Sequence, residues 1–183
     1  MARNVTKAEL RGFSTARSQA GREQILKSIG SSSGTSTFLS HSSKDKEILE
    51  GAMEVLYNNG AKVYIDEVDP QMPPYTSAKT AALLKQRIGQ TQRFVLLATE
   101  NSKDSRWVPW ELGIADGEKG LMNIALFPAS DSMNNDGWTS WEYLGLYHRI
   151  VWGKLEGHET ELWMVLDARA NTAVTLKKWL SGY

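Results

Sequence analysis

The residue most suited to chemistry is Glu111, in the stretch "DSRWVPWELGIADG" from Asp104 to Gly117. Placed on a helix at about 100° per residue, Trp107, Val108, Trp110, Leu112, Ile114 and Ala115 form one broad apolar arc. Pro109, Gly113, Asp116 and Gly117 fall opposite. Glu111 lies near the middle of the apolar arc, one turn after Trp107. A carboxylate aimed at a core is costly unless it is paired or neutralised. The pattern leaves two readings open, a structural acid satisfied by partners or a working group. The positive end of its helix would favour the ionised form and oppose desolvation.

Signatures of other chemistries are missing from the chain. There is no Gly-x-Gly-x-x-Gly and no Walker-type loop. His41, His148 and His158 lack metal-ligand spacing and there is no cysteine, so no metal site is expected.

The elements that would position Glu111 alternate between strand and helix. "TSTFLSH" suits a strand, and "SSKDKEILEGAMEVLYNNG" a helix ended by Asn59-Gly60. "AKVYID" reads as a second strand, "EVDPQMPPY" as a proline-bearing loop, and "TSAKTAALLKQRIG" as a helix closed by Gly89. "RFVLLAT" is a near-continuous apolar strand, as expected where both sheet faces are covered. The Glu111 helix follows, then the strand "NIALFPA", the loop "SDSMNNDGW", a helical turn in "WEYLGL" and the strand "YHRIVW". "ELWMVLDA" reads as an edge strand and "TAVTLKKWL" as a terminal helix. Such alternation implies parallel strands with helices on both faces, and ligands then sit at the carboxyl ends of the strands. That rule selects Ser40, His41 and Ser42; Asp66; Thr99 and Glu100; and Pro128.

The 183 residues divide on this reading into three parts. Residues 1–34 are a helical extension, interrupted at Gly12 and Gly21, that ends in the flexible joint "GSSSGTS". Residues 35–152 form the α/β domain, and residues 153–183 a strand and helix packed on it. Lys plus Arg balance Asp plus Glu at 21 each, so no net field draws the chain to nucleic acid or an anionic membrane. No segment approaches the ~20 apolar residues of a membrane span, and the first residues do not resemble a signal peptide. Absence of cysteine fits a reducing cytoplasm, which is the expected location.

"TFLSHSSKDKE", "VYID" and "FVLLATENSKDSRWVPWELG" together resemble a Toll/interleukin receptor (TIR) domain of the bacterial type, over roughly residues 35–130. Ser105-x-Trp107-x-x-x-Glu111 after an apolar strand is the most specific part of the match. The resemblance implies a flavodoxin-like fold with a parallel five-stranded sheet. It also implies cleavage of NAD⁺ at the nicotinamide–ribose bond, with NAD⁺ as substrate and no cofactor. Glu111 stands where the family's catalytic glutamate stands. His41 and Ser42 match the substrate-contacting loop after the first strand, and Asp66 borders a loop that gates the site and mediates assembly. Trp107 is the candidate aromatic wall for the base. That gating loop here lacks the family's glycine and carries Pro70, Pro73 and Pro74. Arginines that some members place after the first strand are Ser42 and Ser43, leaving Lys44 and Lys46 as candidates for phosphate contact.

The nicotinamide of NAD⁺ is a cationic leaving group that needs no general acid. The site must stabilise an oxocarbenium-like ribose, orient its hydroxyls and exclude stray water, tasks within reach of one carboxylate. The implied role is an NAD⁺ glycohydrolase or ADP-ribosyl cyclase in bacterial immune signalling, self-associating through TIR contacts. A chain of this length has no room for a large second effector domain, so a separate effector protein is the expected partner. Two alternatives stay open: a non-catalytic TIR adaptor, and an enzyme like the nucleoside deoxyribosyltransferases, which would leave NAD⁺ intact.

Overall fold

A computed structural model of the chain describes residues 2–15, 36–73, 76–132 and 144–182. Its centre is a mostly parallel sheet. In chain order the elements are β1 (Val5–Thr6), α1 (Lys7–Thr15), β2 (Ser36–Ser40), α2 (Lys46–Asn58), β3 (Lys62–Tyr64), α3 (Ala78–Gln90), β4 (Arg93–Ala98), α4 (Glu100–Lys103), α5 (Trp107–Lys119), β5 (Ile124–Ser130), β6 (His148–Lys154), β7 (Glu161–Asp167), β8 (Thr172–Thr175) and α6 (Leu176–Leu180). The sheet runs β3-β2-β4-β5-β6-β7-β8. The pairs from β3 to β6 are parallel, and β7 and β8 continue it antiparallel.

The five parallel strands are those that the alternating pattern implies. β4 is buried along its whole length, as its unbroken apolar run requires. One face of the sheet packs against α1, α2 and α6 through residues such as Leu10, Ile48, Leu56, Phe127 and Trp179. The other packs against α3 and α5 through Phe38, Leu84, Ile88, Leu96, Val108 and Leu112. α3 starts on a capping box in which Ser77 and Thr80 satisfy each other's backbone.

Three local expectations differ from what is observed. α1 runs on through Gly12, and α3 runs through Gly89 to Gln90 with Thr91 as its cap. "TAVTLKKWL" is divided, Thr172–Thr175 forming β8 and only Leu176–Leu180 the helix, so β7 pairs on both sides rather than at an edge. Residues near the start of the chain join the sheet. β1 lies parallel to the carboxyl end of β5, at Ala129 and Ser130, while β6 pairs with β5 further back, at Ala125 and Leu126. Arg3 bridges to Trp152 on β6, so β1 fills the wedge where β5 and β6 diverge. α1 then lies on α2 so closely that a Cβ on Gly51 would sit 1.9 Å from the Leu10 carbonyl oxygen. Gly21, the serine-rich joint and most of the loop "SDSMNNDGW" lie outside the described residues. Among the described residues no helix is long and apolar enough to cross a membrane.

Candidate active site

β2 and β4 are neighbours in register, with Ser40 opposite Leu96. Their carboxyl ends therefore open side by side, and α5 returns across them. Ser105 precedes α5 and its Oγ accepts from the Val108 amide at 3.3 Å, fixing the start of the helix. Pro109 falls in the first turn, where the missing N–H is no loss. Glu111 thereby faces the sheet one turn in, at 5% exposure.

A cleft of about 230 Å³ opens at this point, lined among others by His41, Asp66, Glu67, Ser105, Trp107 and Glu111. α3 contributes Thr80 and Leu84, and the loop after β3 contributes Met72 and Pro73. Burial pushes the Glu111 carboxyl up to about 8; the Ser40 hydroxyl pulls the other way and the charge of Asp66 adds to the rise. Desolvation outweighs the helix dipole here. Among the described residues the hydrogen-bond partner of Glu111 is Ser40, whose Oγ donates to Oε2 at 2.5 Å. No basic side chain pairs with it among those residues.

Two basic residues after β2, His41 and Lys46, face Glu67. His41, its side chain 2% exposed, sets Nε2 3.7 Å from Glu67 Oε1, and Nδ1 lies 3.4 Å from the Leu39 carbonyl oxygen. Lys46 sits 3.5 Å from the same Glu67 oxygen and is well exposed. Lys44 is exposed as well. Trp107 is half-buried and meets Trp110 edge-on, ring centroids 5.1 Å apart.

Of the residues singled out by sequence, the structure brings Glu111, His41, Asp66 and Trp107 to one cleft. Ser42 is not among its lining residues. It is buried and its side chain caps the short turn Ser43–Asp45, accepting from the Lys44 amide at 3.4 Å, while its neighbour Ser43 lines the cleft. Asp66 starts the turn Asp66–Val68, two residues past the end of β3.

Two groups of supporting residues escaped the pattern. Asp45, buried, accepts from Thr99 Oγ1 and from Asn101 Nδ2, each at 2.6 Å, tying the exits of β2 and β4 together. Asp69 accepts from Tyr64 Oη at 2.7 Å and from Arg87 Nε at 2.8 Å, anchoring the loop after β3 to α3. Burial would raise the Asp69 carboxyl, yet these bonds hold it below its usual range. These bonds span the fold, and no spacing in the chain reveals them. Ser40 was legible as a strand-end residue, but its contact with Glu111 required the strand order.

The comparisons with known proteins identify the family of the chain. The family model described as "TIR domain" matches residues 37–161. A protein named "Probable 3' cyclic ADP-D-ribose synthase ThsB'", from Bacillus cereus (strain MSX-D12), is 30% identical over 161 residues, covering 86% of this chain and 81% of the relative. A second, "Putative cyclic ADP-D-ribose synthase TIR2" from Cytobacillus dafuensis, is 32% identical over 78 residues, 41% of this chain and 21% of that protein.

Proposed function

This chain belongs to the TIR domain family, and from that premise we propose that it cleaves NAD⁺ at the nicotinamide–ribose bond in bacterial immune signalling. The observation that carries the reading is the buried carboxyl of Glu111, opening on a cleft without a basic partner among the described residues. A structural acid at such depth would be matched by a cation or several amides. A group meant to meet a cationic substrate is instead left for the substrate to match.

Nicotinamide leaves with the electron pair of the glycosidic bond and so becomes neutral. Glu111 stabilises the positive charge that remains on the ribose, either across space or as a transient ester. Trp107 walls the base and Asp66 is placed to accept from ribose hydroxyls. Water then captures the ribosyl carbon to give ADP-ribose, or a hydroxyl of the same molecule does so with loss of its proton to give a cyclic product. The names of both relatives favour the cyclic outcome for this chain. Self-association through TIR contacts and a separate effector that reads the product complete the proposal.

An adaptor has no chemical use for an unmatched buried acid, and neither relative is named as a deoxyribosyltransferase. Incubation of the full chain with NAD⁺ over a range of protein concentrations, with products resolved by mass, tests the reading. Nicotinamide plus cyclic ADP-ribose, rising more than linearly with protein, is the expected result. Intact NAD⁺ at every concentration speaks for the adaptor. Intact NAD⁺ with base exchange on deoxynucleosides speaks for the transferase.

A further inference from the structure

Ser40 does more than end a strand. Its side chain is buried at 1% exposure, and the bond of its Oγ to Glu111 Oε2 links residues 71 positions apart. A strand-end serine normally satisfies its hydroxyl on nearby backbone. Here the partner is the Glu111 carboxylate. A buried carboxyl with a single neutral donor has its orientation and its charge state governed largely by that donor. The other titratable groups lining the cleft work against the charged form or are neutral to it. Asp66 and Glu67 are carboxylates, and His41 faces Glu67. α3 presents Thr80 and Leu84, and β4 is apolar along its length after Arg93.

Resting on the NAD⁺-cleaving reading of this cleft, we propose that Ser40 is the positioning residue of the reaction: its hydroxyl commits Oε2 of Glu111, favours the ionised carboxylate, and presents Oε1 to the ribose. Ser40 touches no reacting atom. Its hydrogen bond favours the ionised acid, and its fixed place on β2 limits the rotation of the carboxylate plane. A good charge-assisted bond changes the equilibrium between charged and neutral acid by roughly tenfold.

The test compares wild type, Ser40→Ala and Ser40→Thr in the full chain, with kcat/KM for NAD⁺ measured from pH 6 to 9.5. For Ser40→Ala the acid limb is expected to move up by about one pH unit. Activity then falls about tenfold at pH 7 and recovers towards wild type by pH 9.5. Ser40→Thr keeps the hydroxyl and stays within about threefold throughout. A loss in Ser40→Ala that is equal at every pH, or a limb that does not move, overturns the proposal. A measurement independent of turnover accompanies it: the midpoint of the Glu111 carboxyl carbon resonance in glutamate-labelled protein, assigned by its disappearance in Glu111→Gln. A midpoint that rises in Ser40→Ala, in a chain that does not cleave NAD⁺, would end the enzymatic reading yet leave the coupling intact. A midpoint that stays put ends the coupling whether or not NAD⁺ is cleaved.

Discussion

Two buried charges flank β4, and they are treated in opposite ways. At its amino end Arg93 is 6% exposed. Its Nε donates to the Trp179 carbonyl oxygen at 2.8 Å, a second nitrogen donates to Asn123 Oδ1, and its guanidinium lies 4.8 Å from the Trp179 ring centroid. Past its carboxyl end Glu111, at 5% exposure, has the hydroxyl of Ser40 as its hydrogen-bond partner among the described residues. Burial acts on both, lowering the Arg93 pKa and raising that of Glu111 to about 8. Arginine starts so far from neutrality that it stays charged. Glu111 does not, and at neutral pH it is largely protonated until a cation arrives. The amino end uses its charge to dock α6 to the sheet; on the proposed reading the carboxyl end keeps its acid for a ligand.

The sharpest consequence of that difference is in the pH dependence of turnover. The acid limb of kcat/KM, which reports the free enzyme, is expected near 8, so the value rises about fiftyfold between pH 6 and 8. The limb of kcat should lie lower by roughly two pH units. A pyridinium about 5 Å away at an effective dielectric of about 20 favours the carboxylate by roughly 3 kcal/mol. Coincident limbs near pH 4.5 would mean that Glu111 is no more perturbed than an exposed acid.

At the other end, Arg93→Met should lower stability by about 2 kcal/mol, because the half-buried Asn123 and the buried Trp179 carbonyl lose their donor. Turnover per folded molecule should stay at the wild-type value. Denaturant unfolding and an activity titration of the folded fraction check both halves. A loss of turnover would erase the separation between the two ends.

Trp107→Ala should lower kcat/KM about tenfold through loss of the wall for the base. Trp107→Phe should retain most of the activity, and unfolding should change little because the ring is only half-buried. Retention of full activity in Trp107→Ala would return this residue to the core. The smallest effect is expected at Arg87. Replacement by Ala frees Asp69 and the loop after β3 at about 1 kcal/mol of stability and roughly doubles KM, read from thermal unfolding and saturation kinetics.

The sequence made the cleft visible where side chains follow the periodicity of one element. Glu111 and Trp107 share a helix face, and His41 and Asp66 follow strands whose apolar character marks them. Ser42 shows the limit of that reading. Adjacent residues after a strand diverge, and the capping bond turned Ser42 inward while Ser43 took the cleft. β1 could not be read, because two residues carry no period and their place depends on the gap left where β6 departs from β5. β8 was hidden for a different reason. Thr172 to Thr175 run straight into the helix with no Gly or Pro between, although their β-branched residues suit a strand. Ser40 and Glu111 meet only because β2 and β4 are adjacent in the sheet, a fact of topology rather than of spacing.

The central claim is that Glu111 is left unmatched for the sake of the reaction. A native carboxyl near 8, against 4.5 in the unfolded chain, stabilises the fold fully below pH 4.5. That stabilisation is lost as pH rises through 8, by up to about 5 kcal/mol. Glu111→Gln removes the ionisation and keeps the shape. The decisive measurement is therefore NAD⁺ turnover and thermal unfolding of wild type and Glu111→Gln, side by side at pH 8. The expected result is cleavage reduced by about a thousandfold or more in the variant, with an unfolding temperature several degrees above wild type. Cleavage retained together with a lower unfolding temperature would contradict the account and make Glu111 a structural acid.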